Sequence, residues 1–184
     1  AETFSQDVPH AGSQVEIASE ALERLLPDAH VTLPTVRRIA GGAVYRCTKR
    51  VFDIVACSVA LVVLAVPMAV IAVIIKRESP GPALYAQMRE GKDGKPFKLY
   101  KFRSMRTDAE ASGAQWAQDD DPRITAFGHV LRKTRMDELP QFWNVLRGDM
   151  SLVGPRPERP AFCAAFRERI DGWDQRTLVR PGIT

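Results

Sequence analysis

The chain has 184 residues and a formal net charge of +4, with 26 Lys and Arg against 22 Asp and Glu. That length fits one ordinary domain with additions rather than two full domains, and the basic balance favours anionic partners: phosphorylated substrates, nucleic acid or an anionic membrane face. Three widely spaced cysteines (Cys47, Cys57, Cys163) form no C-x-x-C pair and point to a reducing cytosolic setting, and three scattered histidines argue against a His-based metal or triad site.

Residues 1 to 12 are polar, and the segment "SQVEIASEALERLL" predicts an amphipathic helix. Ser13 and Glu16 have capping-box spacing, while Val15, Ala18, Leu22, Leu25 and Leu26 share one face. "PDAHVTLP" breaks it, so residues 1–48 are expected to form a connector with a short docking helix. Residues 54–75, "IVACSVALVVLAVPMAVIAVII", carry no charge. As one helix they would run roughly 33 Å, against a hydrocarbon core of about 30 Å. The default expectation is a membrane helix. Pro67 inside it predicts a break, and basic residues flank both ends, Lys49 and Arg50 before, Lys76 and Arg77 after. The positive-inside rule places such flanks on the cytoplasmic face. A helix broken at Pro67 that enters and returns satisfies both observations; a kinked spanning helix satisfies the first. Asp53, just before the apolar run, is read as an interfacial or capping residue.

Beyond "SPGP", a turn, the residues from about Ala83 to Met105 predict a β-hairpin around the turn cluster "EGKDGK". "DAEASGAQWAQ" predicts a helix. "DDDPRIT" predicts a turn, with capping favoured over metal binding for Asp119, Asp120 and Asp121. "FGHVLRKT" and "MDELPQFWNVLRG" predict two short helices, the second beginning at Asp137. "PERPAFCAAFRERIDGW" predicts a further one, with Phe162, Ala165, Phe166 and Ile170 on one face. "VRPGIT" is a turn and an unexpected place for a domain to stop. Trp116, Trp143 and Trp173 suit either a core or a membrane interface.

The chemistry concentrates in "RKTRMDELPQFWNVLRGDMSLVGPRP". Asp137 and Glu138 are adjacent carboxylates beside apolar Leu139, Phe142 and Trp143, among Arg132, Lys133, Arg135, Arg147 and Arg156. Cations there are expected to lower both carboxyl pKa values and keep the pair ionised. An ionised pair suits a hard cation such as Mg²⁺, arginines suit phosphate oxygens, and an Asp can be a nucleophile toward phosphorus. Together these are the parts of a phosphoryl-transfer site. Arg156, between Pro155 and Pro157, is a rigid phosphate ligand by this reading. Lys101 and Arg103, at alternate positions of a strand, would project from one face toward the same anion.

The series "KRVFDIV", a Pro-broken apolar run, "SPGP", "GKPFKLYKFRSM", "DDPRIT", "LRKTRMDELPQFWNVLRGDMSLVGPRP" and "VRPGIT" resembles the bacterial sugar transferase family, the monotopic phosphoglycosyl transferases, over about residues 49–184. The resemblance implies an α+β, mainly helical fold: a re-entrant membrane helix over 49–77 broken at Pro67, then a β-hairpin and a cytosolic helical catalytic domain over 78–184. It implies transfer of a sugar 1-phosphate from a nucleoside diphosphate sugar to polyprenyl phosphate on the cytoplasmic face of the bacterial inner membrane, the opening step of exopolysaccharide or glycoconjugate synthesis. UDP-glucose or UDP-galactose is the expected donor. By the same resemblance Asp137 is the nucleophile of a ping-pong mechanism and Glu138 contributes to Mg²⁺ binding with Asp137. Lys101 is catalytic, and Arg103, Arg132, Arg156 and Arg180 contact phosphates or support the site. Membrane lipid is an expected partner, nucleic acid is not, and the pattern is compatible with a homo-oligomer. Two departures are visible. Val66 stands where family members usually carry Ser, and the Gly-aromatic-Gln continuation after "RPGIT" is absent, which suggests truncation. The rival to an enzyme is a membrane-anchored basic docking module with a single spanning helix. It predicts no Mg²⁺ dependence and tolerance of Asp137→Asn.

Overall fold

A computed structural model describes residues 19, 31–35, 42–109 and 121–183. Apart from Ser19, which is helical, the expected helix over "SQVEIASEALERLL" lies outside the described residues; so does the one over "DAEASGAQWAQ" beyond Asp108 and Ala109, which form a turn, and so do Trp116, Asp119 and Asp120. The elements run β1 (Val31–Thr32), α1 (Ala43–Val63), α2 (Ala65–Glu78), β2 (Leu84–Glu90), β3 (Pro96–Phe102), α3 (Ala126–Lys133), α4 (Gln141–Arg147), α5 (Pro160–Arg169) and β4 (Ile170–Asp171). The fold is mixed, mostly helical with two small sheets. β2 and β3 form the antiparallel hairpin, Tyr85 opposite Lys101 and Leu84 opposite Phe102; β1 pairs with β4 in parallel.

The apolar run is two helices bent by 61°. The break falls at Leu64 (φ −90°, ψ 2°), three residues before Pro67, which lies in the first turn of α2. This corrects the expected break at Pro67, and the proline chemistry explains it. Pro67 has no N–H to donate to the Val63 carbonyl and its ring crowds the preceding turn, so the distortion lands upstream. Regular bonding resumes with the Met68 N–H on the Leu64 carbonyl at 2.8 Å. Among the described residues no single helix is long and apolar enough to cross a membrane.

Both arms of the bent pair return to the same folded unit. Cys57 of α1 packs with Leu99, Val145 and Met150, while Ile71 and Ile75 of α2 pack with Ala83, Phe102 and Leu131. β3 therefore contributes to both cores, Leu99 to one and Phe102 to the other. Polar contacts fix the base of α1. Arg50 donates to the Val145 and Leu146 carbonyls at 2.6 and 2.9 Å, at the C-terminal end of α4, where a cation also complements the helix dipole. Asp53, only 3% exposed, accepts from Lys49 Nζ at 3.1 Å and from Ser151 Oγ at 2.7 Å. It is thus a buried tie between α1 and the loop after α4, neither interfacial nor a cap. The bend itself is bare: Val62, Val63 and Val66 are 78, 68 and 73% exposed.

Sequence reading placed one helix from Asp137 onward. Instead Met136–Glu138 form a 3₁₀ turn, and α4 starts after Pro140. Asp121 closes the "DPR" turn as expected, accepting from the Arg123 backbone N–H at 3.0 Å and its Nε at 2.8 Å. Phe162, Ala165 and Phe166 of α5 pack together, whereas Ile170 has left the helix for β4.

Candidate active site

Three segments build the site. β3 brings Lys101, the 3₁₀ turn brings Asp137 and Glu138, and the loop after α4 brings Arg156. The hairpin alternation sets Lys101 beside the turn, and Asn144 locks that arrangement. Asn144 is fully buried; its Oδ1 accepts from the Tyr100 N–H at 3.0 Å and its Nδ2 donates to the Lys98 carbonyl at 2.7 Å. It stitches α4 to the edge of β3 just beside Lys101. Sequence reasoning passed over it, although a polar residue within the apolar "FWNVL" stretch is the signal that marks such a stitch.

Lys101 Nζ donates to Glu138 Oε1 at 2.9 Å and lies 3.8 Å from Asp137 Oδ2. Arg156 Nη2 donates to the same Glu138 oxygen at 2.8 Å. Both carboxylates are buried, Asp137 at 7% and Glu138 at 8% exposure, while the Arg156 side chain is half exposed. The two carboxyls part company electrostatically. Burial raises Asp137; Lys101 and Arg132 oppose this, Glu138 adds to it, and the net shift is upward. Burial also pushes Glu138 up, but the hydrogen bonds and charges of Lys101 and Arg156 outweigh it and hold that carboxyl below its usual range. The expectation that cations would lower both is therefore met by Glu138 alone, because Lys101 gives its short bond to Glu138.

The Arg156 loop is held from several sides. Arg89 Nη1 donates to the Pro157 carbonyl at 3.1 Å and Arg176 to the Arg156 carbonyl. The Gly182 N–H donates to the Pro155 carbonyl at 3.0 Å. The two backbones approach so closely that a Cβ on Gly154 would lie 2.5 Å from the Arg180 carbonyl oxygen, so the "GPRP" and "RPGI" segments require glycine there. A cleft opens beside this loop, lined by Arg135, Glu138, Leu139, Phe142, Arg156 and Ile183. A small adjoining pocket includes Lys101, Arg156, Arg89 and Gln141. Asp137 is not among the lining residues of either.

The remaining cations sit elsewhere. Arg103 is buried, and its guanidinium donates to the Pro80 and Ser79 carbonyls at 2.5 and 2.8 Å, closing the end of α2. Arg132 Nε donates to Ser104 Oγ at 2.9 Å and acts on Asp137 through its charge. Arg180 Nε donates to the Gly148 carbonyl at 2.9 Å and is exposed. Lys101 and Arg156 thus contact the acid pair directly, Arg132 stands near it, and Arg103 and Arg180 bond backbone carbonyls.

The bacterial sugar transferase family matches residues 44–184. The chain belongs to that family. A Bacillus subtilis (strain 168) relative, provisionally named an undecaprenyl-phosphate N-acetylgalactosaminyl 1-phosphate transferase, is 55% identical over 72% of this chain and 74% of its own length. An Aeromonas hydrophila relative named UDP-N-acetylgalactosamine-undecaprenyl-phosphate N-acetylgalactosaminephosphotransferase is 50% identical over 90% of this chain and 39% of its own length. The UDP-glucose:undecaprenyl-phosphate glucose-1-phosphate transferase of Escherichia coli (strain K12) is 45% identical over 78% of this chain and 31% of its own length. This sugar transferase chain therefore spans only about a third of the last two relatives, and its relatives' names differ in the sugar.

Could the acid pair hold Mg²⁺? Among the described residues no group of three His, Cys, Asp or Glu side chains gathers. Mg²⁺ does not require one. It is commonly held by one or two carboxylates with substrate phosphates and water completing the shell, and hard carboxylate oxygens suit it. The donor set of Asp137 and Glu138 fits that pattern.

Proposed function

We propose that this chain transfers a sugar 1-phosphate from a UDP-hexose to polyprenyl phosphate at the cytoplasmic face of a bacterial inner membrane, through a covalent intermediate on Asp137. The observation that carries the reading is the split between two adjacent carboxyls. Glu138 is committed to Lys101 and Arg156, whereas Asp137 has no short side-chain bond and an elevated pKa. A more basic carboxylate is the better nucleophile once ionised.

In the first half-reaction an Asp137 carboxylate oxygen attacks the phosphorus that bears the sugar. The bond to the nucleotide's phosphate oxygen breaks, and nucleoside monophosphate leaves. In the second, the polyprenyl phosphate oxygen attacks the same phosphorus, the acyl-phosphate bond breaks, and Asp137 is regenerated with polyprenyl diphosphate sugar as product. Lys101 and Arg156 set the Glu138 carboxylate and place positive charge where phosphate oxygens gain negative charge. Asp137 and Glu138 would hold Mg²⁺, which supplies further charge neutralisation when bound.

The bent helix pair supports membrane re-entry. Both arms return to one folded unit, and both flanks are basic. From Cys57, the last buried residue of α1, to Leu64 is roughly 10 Å of helix, short of the ~15 Å of one leaflet. Each exposed valine at the bend forgoes roughly 1.5–2 kcal/mol of burial in water, which lipid would supply.

The test is intact mass after incubation with Mg²⁺ and a panel of UDP-sugars without lipid acceptor. One sugar phosphate gained by the wild type and not by Asp137→Asn is expected. The same gain on Asp137→Asn would move the nucleophile elsewhere; no gain with any sugar would remove the covalent route.

A further inference from the structure

Arg135 immediately precedes the turn that carries the acid pair, and three observations set it apart. Its backbone is left-handed, φ 59° and ψ 15°, one of two non-glycine residues with positive φ among the described residues. This conformation is disfavoured for any residue with a Cβ and is ordinarily filled by glycine or asparagine. Its carbonyl accepts from the Glu138 N–H at 3.2 Å and its own N–H donates to the Arg132 carbonyl at 3.2 Å, so the strained residue is held from both sides. Its side chain is exposed and lines the cleft shared with Glu138 and Arg156, and it makes no side-chain hydrogen bond or ion pair with any described residue.

The neighbouring cations are already engaged: Lys101 and Arg156 by Glu138, Arg132 by Ser104, Arg180 by Gly148. Arg135 alone among them enters the cleft with its whole hydrogen-bonding fork unused. Besides Glu138 and Arg156, the cleft is lined by apolar Leu139, Phe142 and Ile183. A free cation and apolar side chains lining one cleft suit an anion that carries a hydrophobic or planar group. Keeping an arginine where glycine would relax the backbone indicates that the side chain, not the turn, is the reason for it.

We infer that Arg135 is a substrate-binding residue whose guanidinium grips a phosphate oxygen across the cleft from Arg156. The inference rests on the proposed reaction for its substrates, which offer that phosphate in two ways, on the nucleotide sugar or on the polyprenyl phosphate.

The experiment compares wild type, Arg135→Gln, Arg135→Lys and Arg135→Gly, purified in detergent with Mg²⁺. Initial rates are taken against UDP-sugar at fixed undecaprenyl phosphate, then the reverse. Arg135→Gln is expected to raise KM about tenfold for one substrate, with Arg135→Lys intermediate because it keeps the charge and loses the fork. A rise confined to UDP-sugar assigns the donor phosphate, and one confined to the lipid assigns the acceptor. Arg135→Gly should melt at a higher temperature than wild type while showing the same KM defect, which a merely structural role would not produce. Unchanged KM for both substrates in Arg135→Gln, with wild-type transfer intact, overturns the inference and leaves the proposed reaction standing. If the wild type itself shows no transfer, calorimetric titration with UDP and Mg²⁺, and sedimentation with vesicles containing undecaprenyl phosphate, replace kinetics. About tenfold weaker binding of either probe by Arg135→Gln then supports the contact, and equal binding of both overturns it.

Discussion

Asp53 and Glu138 are both buried and both bonded to a lysine, yet their surroundings differ in charge count and in access. Around Asp53 the books balance: one carboxylate, Lys49 one helical turn earlier, and the Ser151 hydroxyl. Nothing is left over, and no cleft-lining residue belongs to the group. Around Glu138 a second carboxylate, Asp137, shares the same lysine at 3.8 Å, and Arg156 reaches out half exposed into a cleft with Arg135. Burial and ion pairing are thus common to a structural tie and to the proposed reactive centre. Like-charge crowding beside an open cleft that holds two arginines is what separates them.

The largest test of that distinction is catalytic. Asp137→Asn should lower transfer by at least about 10³-fold, whereas Asp53→Asn should cost less than about tenfold in activity, its damage falling on stability. Steady-state transfer rates on both variants check this, and comparable losses would erase the contrast. Next, Lys101→Met should reduce transfer about 10²-fold and raise the Glu138 carboxyl by removing its largest opposing partner.

The acid limb of the rate against pH sharpens the comparison further. Asp137 is raised, so it is protonated and unreactive below its folded value, and the rate should climb with pH through an inflection above the ordinary aspartate value near 3.9. In Glu138→Gln the like charge disappears and Lys101 is freed for Asp137, so the residual covalent-adduct rate should show that inflection at lower pH. An inflection that stays or rises would contradict the assigned causes.

Stability gives the smaller effects, with opposite signs. Asp53→Asn leaves Lys49 without its anion and should cost about 1–3 kcal/mol, the exposed lysine limiting the loss. Asp137 behaves otherwise. Its raised pKa means the folded state binds the extra proton between the unfolded and folded values, so stability falls as pH rises through that window and the penalty persists at neutral pH. Asp137→Asn should therefore melt slightly higher than wild type, by about 1 kcal/mol or less. Glu138, held low, contributes stability at neutral pH that is lost as pH falls through its folded value. Thermal scans at neutral and acid pH measure both.

Much of this was legible in the sequence where one residue acts on its immediate neighbours. The hairpin followed from β-type composition around a Gly-rich turn, and the acid pair from two carboxylates pinned among arginines and prolines. What the sequence hid was the identity of distant partners. Lys101 and Arg103 look equivalent by alternation. Two residues of strand nevertheless cover about 7 Å, enough to hand Lys101 to the 3₁₀ turn and Arg103 to the carbonyls ending α2. Lys49 and Arg50 read only as basic flanks of the apolar run, but the partners of Lys49 are Asp53 and Ser151 and those of Arg50 are the carbonyls of α4, 95 or more residues away. The break displaced from Pro67 to Leu64 was readable in principle, since proline disturbs the turn before it. The rise of Asp137 was not, because it depends first on how deeply the 3₁₀ turn buries that carboxyl and then on which carboxylate captures the lysine.

The Gly154–Gly182 crossing bears on the order in which the protein is made. Ser151 bridges to Gly182, and Ile183 fills the core beside Leu152. The loop that aims Arg156 is thus braced by residues translated almost thirty positions later. A ribosome will have released α1 and α2, hairpin, and acid pair before that brace exists. The exposed bend between α1 and α2 is therefore complete while the loop that carries Arg156 still lacks its brace, and the cleft beside that loop is the last part of the molecule to be closed.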